Sequence, residues 1–213
     1  MDKKTDKHLN YFKLVEAFNE TDCPICRRND EISYNYVDNL LYENVNDGAV
    51  REQLGDSLGF CKEHWQLFLK IGDSLGTAII YNDLLAKFLN LIVSGNFNKF
   101  LNRKTCPVCN LIEEQTKNNL KIFLSYYNDS EFRKEFEQTN GLCANHLIGL
   151  LKASEKKEQK DYFINFHKKK IEQIQNKLNE LIRKNDYRFE SEKISAEEGE
   201  SWIKAIKFLN DYK

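Results

Sequence analysis

The chain has 213 residues, 41% of them hydrophobic, including 14 Phe and 10 Tyr, which is enough apolar mass for one sizeable core or for two small units sharing one. Charged residues make up 31% and almost cancel, for a formal net charge of -1. That balance speaks against a nucleic-acid partner, and Lys168-Lys169-Lys170 is read as a solvated helix face.

The opening residues, MDKKTDKHLNYF, lack the apolar core of a secretory signal. The longest apolar stretch, residues 84–93, is short and interrupted by Lys87 and Asn90, so no membrane span is expected. The expectation is a soluble, cytoplasmic protein. In a reducing cytosol, clustered cysteines point to metal binding or redox chemistry before disulfides.

The only two prolines, Pro24 and Pro107, each stand inside a Cys-Pro-x-Cys. With so few helix breakers, the chain is expected to be all-α. A first helix, within residues 1–22, covers about 8–18 and carries Leu9, Phe12, Val15 and Phe18 on one side. His8 is read as an exposed residue of it. After CPIC, apolar residues at Ile32, Tyr36, Val37, Leu40 and Leu41 keep helical spacing. A short helix near 50–54, another starting near Cys61 and a longer one near 75–93 complete a unit over residues 23–96. The second unit, 106–185, reads as helices near 107–127, 131–136, 143–153 and 156–184. An exposed connection follows over 184–193. The last element, 194–213, opens with Ser195-x-x-Glu198, a capping-box pattern, and carries Trp202, Ile203, Ile206 and Leu209 on one stripe.

The two units are copies. Cys23 and Cys106 are 83 positions apart, as are Cys26 and Cys109; Cys61 and Cys143 are 82 apart, as are His64 and His146. REQLGDSLGFCKEH lines up with RKEFEQTNGLCANH, pairing Arg51 with Arg133, Ser57 with Thr139 and Gly59 with Gly141. The fold expected is therefore a tandem duplicated helical unit with flanking N- and C-terminal helices, all in one compact domain.

All six cysteines and two of the four histidines fall in these motifs. Each unit supplies Cys-x-x-Cys and then Cys-x-x-His, a complete Cys3His set for a tetrahedral ion. Pro suits the first helical position, which places Cys23 and Cys106 at N-caps and Cys26 and Cys109 one turn in. There the open amides and the helix dipole favour thiolate. Cys61 with His64 and Cys143 with His146 repeat that arrangement, and Gly59 and Gly141 let the chain turn into each helix. Structural zinc, two ions per chain, is the leading reading. An iron–sulfur cluster with one His ligand and a dithiol redox pair are the lesser ones, since neither ferredoxin spacing nor a βαβ pattern is present. Ligation within each unit is the simplest assignment; ligation across units has the same spacing and stays open.

With CPIC, GFCKEHW, SLGTAIIYNDLL (residues 74–85), CPVC and GLCANH, the chain resembles a functionally uncharacterised family of bacterial and archaeal proteins. The resemblance spans most of the chain and implies a metal-binding helical fold, but no activity. Ser74 and Thr77 depart mildly from the Gly-rich segment of that family.

Gly72 and Gly76 are spaced for a close helix approach, and Tyr81 and Asp83 lie in an apolar stretch. Asp83 is expected to cap or to pair with Arg51 or a lysine; the sharper reading makes Tyr81 and Asp83 line a pocket particular to the first unit. His167 shares a heptad-like stripe with Ile171, Ile174, Leu178 and Leu181, expected to pack within the chain, with a homodimer seam over 163–182 as the alternative. No Gly-x-Ser-x-Gly, phosphate-binding loop or dinucleotide fingerprint occurs, and no catalytic residue is nominated, so the balance leans away from an enzyme. Three functions are carried forward. They are a zinc-stabilised interaction, adaptor or regulatory protein with a protein partner; a thiol-based redox or metal-responsive switch; and an enzyme with a site near Tyr81 and Asp83.

Overall fold

The computed structural model describes residues 7–19 and 22–210, and among these there are twelve α-helices and no strand. The opening segment 1–6 and the last three positions of the 194–213 element lie outside the described residues. In the first copy, α2 is Pro24–Tyr42, α3 Gly48–Ser57, α4 Lys62–Ile71 and α5 Ser74–Val93. Their counterparts are α7 Pro107–Tyr126, α8 Ser130–Gln138, α9 Ala144–Ala153 and α10 Lys157–Lys184. The extra elements are α1 Leu9–Glu16, the short α6 Phe97–Leu101, α11 Ala196–Gly199 and α12 Ser201–Leu209.

Local chemistry sets the boundaries in both copies alike. Asp47 and Asp129 cap α3 and α8, accepting from the amides of Val50 and Phe132, each at 2.9 Å. The capping box of Ser195 and Glu198 is formed at the start of α11. His8 is exposed, just outside α1.

Two compact units result. Unit 1 takes the chain up to Arg28 and again from Lys117 onward; unit 2 is Asn29–Thr116. The division thus falls inside α2 and α7, not between residues 96 and 106 where the sequence copies meet. Unit 1 is built on aromatics: Phe18, Phe123, Phe132, Phe136 and Phe163 are all buried, with Phe123 and Phe136 centroids 5.0 Å apart. The first turn of α2, with Ile25 at 0% exposure, belongs to this core. Unit 2 is aliphatic, centred on Val37, Leu40, Leu41, Leu54, Ile80, Leu84 and Val108. Here the first turn of α7, with Val108, is the borrowed piece.

The α10 stripe is used inside unit 1. Phe163 and His167 are buried, and Ile174 faces α12 across a small cavity. Gly72, expected to allow a close helix approach, is instead the left-handed C-cap of α4 at φ 80°, where an added Cβ would meet no other part of the chain within 4 Å, so of the two only Gly76 is packed closely, against Asp73 and Leu41.

Candidate metal centres

The eight Cys and His residues gather into two groups of four, and in each group the candidate ligand atoms lie within 4.8 Å of one another. The grouping is crossed. Cys23 and Cys26 of the first copy meet Cys143 and His146 of the second, forming centre 1 in unit 1. Cys61 and His64 meet Cys106 and Cys109, forming centre 2 in unit 2. Ligation within each copy, the simplest assignment from sequence, is therefore not what the fold adopts. The reason lies in element length.

Two helix N-termini converge on each centre, α2 and α9 on the first, α7 and α4 on the second. Cys61 and Cys143 are N-caps in extended conformation, with ψ of 172° and 165°. The carbonyls of Cys23 and Cys106 accept the first helical bonds from Arg27 and Asn110, as N-cap residues do. In centre 1, His146 Nδ1 stands 3.5, 3.4 and 3.1 Å from the sulfurs of Cys23, Cys26 and Cys143, and Cys26 Sγ is 3.7 Å from Cys143 Sγ. In centre 2, His64 Nδ1 is 3.6, 3.5 and 3.0 Å from Cys106, Cys109 and Cys61, and Cys61 Sγ is 3.6 Å from Cys109 Sγ.

The thiols of each centre are pushed apart in acidity. Burial drives Cys106 upward, yet hydrogen bonds from His64 and from the amides of Cys61, Cys109 and Val108 outweigh it and bring the group down to about 6. Burial and the neighbouring sulfurs push Cys109 up to about 12. Centre 1 repeats the split. Cys23 falls well below a thiol's usual value, because bonds from the Cys143 and Cys26 side chains and amides overcome its burial. Cys26 is driven up, first by the proton it shares with Cys143 and Cys23. The N-cap cysteine ahead of each proline is thus the ready thiolate. Cys26, Cys61 and Cys109 ionise against its charge, which a bound cation would offset.

The turns entering α4 and α9 are held by matching devices. Gly59 and Gly141 sit at φ 97° and 87°, a region that L side chains rarely adopt. Ser57 donates to the carbonyl of Gly59, while Thr139 accepts from the amide of Gly141. Behind Gly141 stands His167, 1% exposed, whose role the sequence pattern did not show. Its Nε2 accepts from the Leu142 amide at 2.9 Å, and its Nδ1 donates to the Phe163 carbonyl at 2.7 Å. The first copy has Leu84 in this place. The buried trio Gly76, Ile80 and Leu84 on α5 corresponds to Gln159, Phe163 and His167 on α10. Two polar side chains, Gln159 and His167, thus stand where the first copy has Gly76 and Leu84, and the second of these differences was the available signal.

Tyr81 and Asp83 are both engaged within unit 2. Tyr81 packs edge-on against Phe68 at 5.7 Å, and burial followed by the nearby Cys106 charge pushes its hydroxyl up. Asp83 pairs with Lys87 at 3.0 Å and Arg51 at 3.5 Å, which hold its carboxyl below the usual range. A cavity of about 200 Å³ occurs in unit 1, where Cys23, Leu142 and Cys143 face Ile203, Lys204 and Phe208 of α12.

Fold and centres together define a class: an all-α protein built on a duplicated unit, with two Cys3His groups able to hold metal ions. The chain belongs to a family of unknown function, DUF6062, whose profile matches it twice, over residues 6–100 and 93–212. The double match is an independent sign of the duplication. The chain is also similar to an uncharacterised 23.9 kDa protein from the xynA 3' region of Caldicellulosiruptor sp. (strain Rt8B.4), 27% identical over 200 residues, which cover 92% of this chain and 98% of that one. No solved structure matches the chain.

Proposed function

We propose that this chain is a zinc-stabilised helical interaction protein of the reducing cytoplasm, with one structural zinc ion in each Cys3His centre. Donor geometry carries the reading. A tetrahedral zinc ion with bonds of about 2.3 Å to sulfur and about 2.05 Å to nitrogen sets S–S edges of about 3.8 Å and S–N edges of about 3.5 Å. One S–S separation in each centre, Cys26–Cys143 and Cys61–Cys109, is 3.7 and 3.6 Å, and four of the six S–N separations run from 3.4 to 3.6 Å. Only the pairs within each Cys-x-x-His are closer, at 3.1 and 3.0 Å, so binding would spread them by about half an ångström. Four protein donors close the coordination sphere and leave no position for a substrate. Three thiolates on Zn²⁺ leave one negative charge, which the two helix N-termini at each centre are placed to offset. Elemental analysis of the purified protein tests this: two zinc ions per chain are expected, and iron with visible absorbance would overturn it.

A second reading, a thiol-based switch, is favoured at centre 1 alone, because the unit 1 cavity opens onto Cys23 and Cys143. Peroxide would take two electrons from two thiolates, form a disulfide and water, and release zinc. Stoichiometric peroxide that releases one of two zinc ions, reversibly with a thiol reductant, supports it; no release from folded protein ends it.

A further inference from the structure

Unit 2 presents a helix face that its own fold leaves uncovered. Along α5, Leu75, Ala78, Asn82, Leu85, Leu89 and Ile92 recur at alternating spacings of three and four, the spacing of a coiled-coil seam. All six are exposed, Leu75 at 71%, Leu85 at 65%, Leu89 at 59% and Ile92 at 48%. The other side of α5 is fixed in the core by Ile80 and Leu84, so the seam is the outward face.

The second copy supplies an internal control. With Gly76, Ile80 and Leu84 matched to Gln159, Phe163 and His167, the seam positions correspond on α10 to Glu158, Asp161, Asn165, Lys168, Glu172 and Gln175. The same architecture therefore carries a charged face there. The apolar face on α5 is not something the fold requires, and five of its six positions have exchanged a polar residue for an apolar one relative to α10.

We propose that α5 is a self-association seam, on which the α5 of a second copy of this chain docks. The seam carries no charge, and neither do the flanking positions Ile79, Tyr81, Ala86, Phe88 and Val93, so two copies meet without repulsion. The nearby Asp83 and Lys87 pair with each other, and Asp83 with Arg51 of α3. Asn82 falls mid-seam, the place where a polar residue fixes register in paired helices. A charged protein partner would find nothing on this face to complement. Lipid is the other candidate, since α5 has the length and composition of a membrane span and is only 17% buried over its most apolar window. Yet an interfacial helix is bordered by free Lys and Arg, and the single lysine of α5 is already paired. The proposal rests on the interaction reading only in naming a partner. Zinc content and assembly state are measured separately, so either can fail alone.

Sedimentation velocity of the metal-loaded full chain, from about 1 µM to about 200 µM, tests it, because one helix seam falls below a standard interface and sets a dissociation constant on the order of micromolar. The mass is expected to rise from one chain to two across that range. Leu85→Glu and Leu89→Lys should each weaken pairing at least tenfold while helicity and metal content are kept, since both side chains are exposed in the single chain. Lys168→Glu, at the matching place on α10, should change nothing. A wild-type chain that stays single at every concentration, or pairing indifferent to both seam substitutions, overturns the proposal. So does co-sedimentation with phosphatidylcholine–phosphatidylglycerol vesicles in the absence of pairing. Should one seam variant fail to fold, the other and the wild-type series still decide.

Discussion

Gly59 and Gly141 hold the same left-handed backbone, yet they do not tolerate a side chain equally. A Cβ on Gly59 would meet Leu84 Cδ1 at 3.2 Å, a flexible methyl. On Gly141 it would meet His167 Nε2 at 2.9 Å, the atom that accepts the Leu142 amide. Backbone strain of about 1–3 kcal/mol applies to both, and at Gly141 the loss of a buried acceptor adds about 1–3 kcal/mol. Urea denaturation should therefore show Gly141→Ala to be the more damaging by at least about 1 kcal/mol; equal losses would mean that the His167 bond contributes nothing. Burial pushes His167 from 6.5 down to about 4, against the upward pull of the Phe163 carbonyl and the Cys143 sulfur and with a further downward push from Lys170. Between those values the unfolded chain binds the proton and the folded chain does not. Stability is thus lost as pH falls from 6.5 toward 4, by up to about 3 kcal/mol. Thiolate protonation acts in the same window in every variant. The measurement is therefore a difference: His167→Gln should flatten the slope of unfolding free energy against pH relative to wild type, and identical slopes would refute the assignment. In sequence, His167 read only as a member of an apolar stripe, because nothing local shows that a buried amide awaits its ring.

At the scale of elements, most of the helices were legible from their edges. Proline after an N-cap cysteine and the Ser195–Glu198 box each mark a start with a mechanism, whereas α3 and α8, expected near 50–54 and 131–136, start earlier, at the caps Asp47 and Asp129. Which motif meets which was not legible, since both pairings use the same spacing. Helix length decides it. α2 has 19 residues and carries the chain about 24 Å onward from Cys26, while α3, with 10, turns back by about 15 Å. Cys61 therefore arrives beside the far part of α2, where Phe60 packs 6.4 Å from Tyr36 and the first turn of α7 joins the same core. The crossed pairing has a direct test in metal counting. Cys23→Ser with Cys143→Ser strikes one centre and should leave one ion per chain. Cys23→Ser with Cys61→Ser strikes both and should leave none tightly bound. Ligation within each copy predicts the reverse of these two results.

Over the whole molecule, the crossed pairing nests one unit in the chain of the other. Centre 2 joins residues 42 apart, His64 and Cys106, whereas centre 1 joins Cys23 and His146 across 123. Unit 2 is one continuous stretch with its own core and its own four ligands; unit 1 is two stretches joined only through it. Damage should therefore spread in one direction. Breaking centre 1 with Cys143→Ser and His146→Ala removes a cross-link from unit 1 and leaves every ligand of unit 2 in place. Breaking centre 2 with Cys61→Ser and His64→Ala turns Asn29–Thr116 from a folded insert into a long flexible loop, and closing such a loop costs unit 1 about 4 kcal/mol on top of the direct loss in unit 2. Hydrogen exchange read by mass spectrometry separates the two cases. After the first pair of substitutions, amides of α3 to α5 should keep their protection while those of α8 and α9 lose it. After the second, protection should fall in α3 to α5 and, by a smaller factor, in α8 and α9 as well. Loss confined to the mutated unit in both cases would mean that unit 1 holds its two stretches together without help from a folded unit 2, and the nested connectivity would then carry no energetic weight.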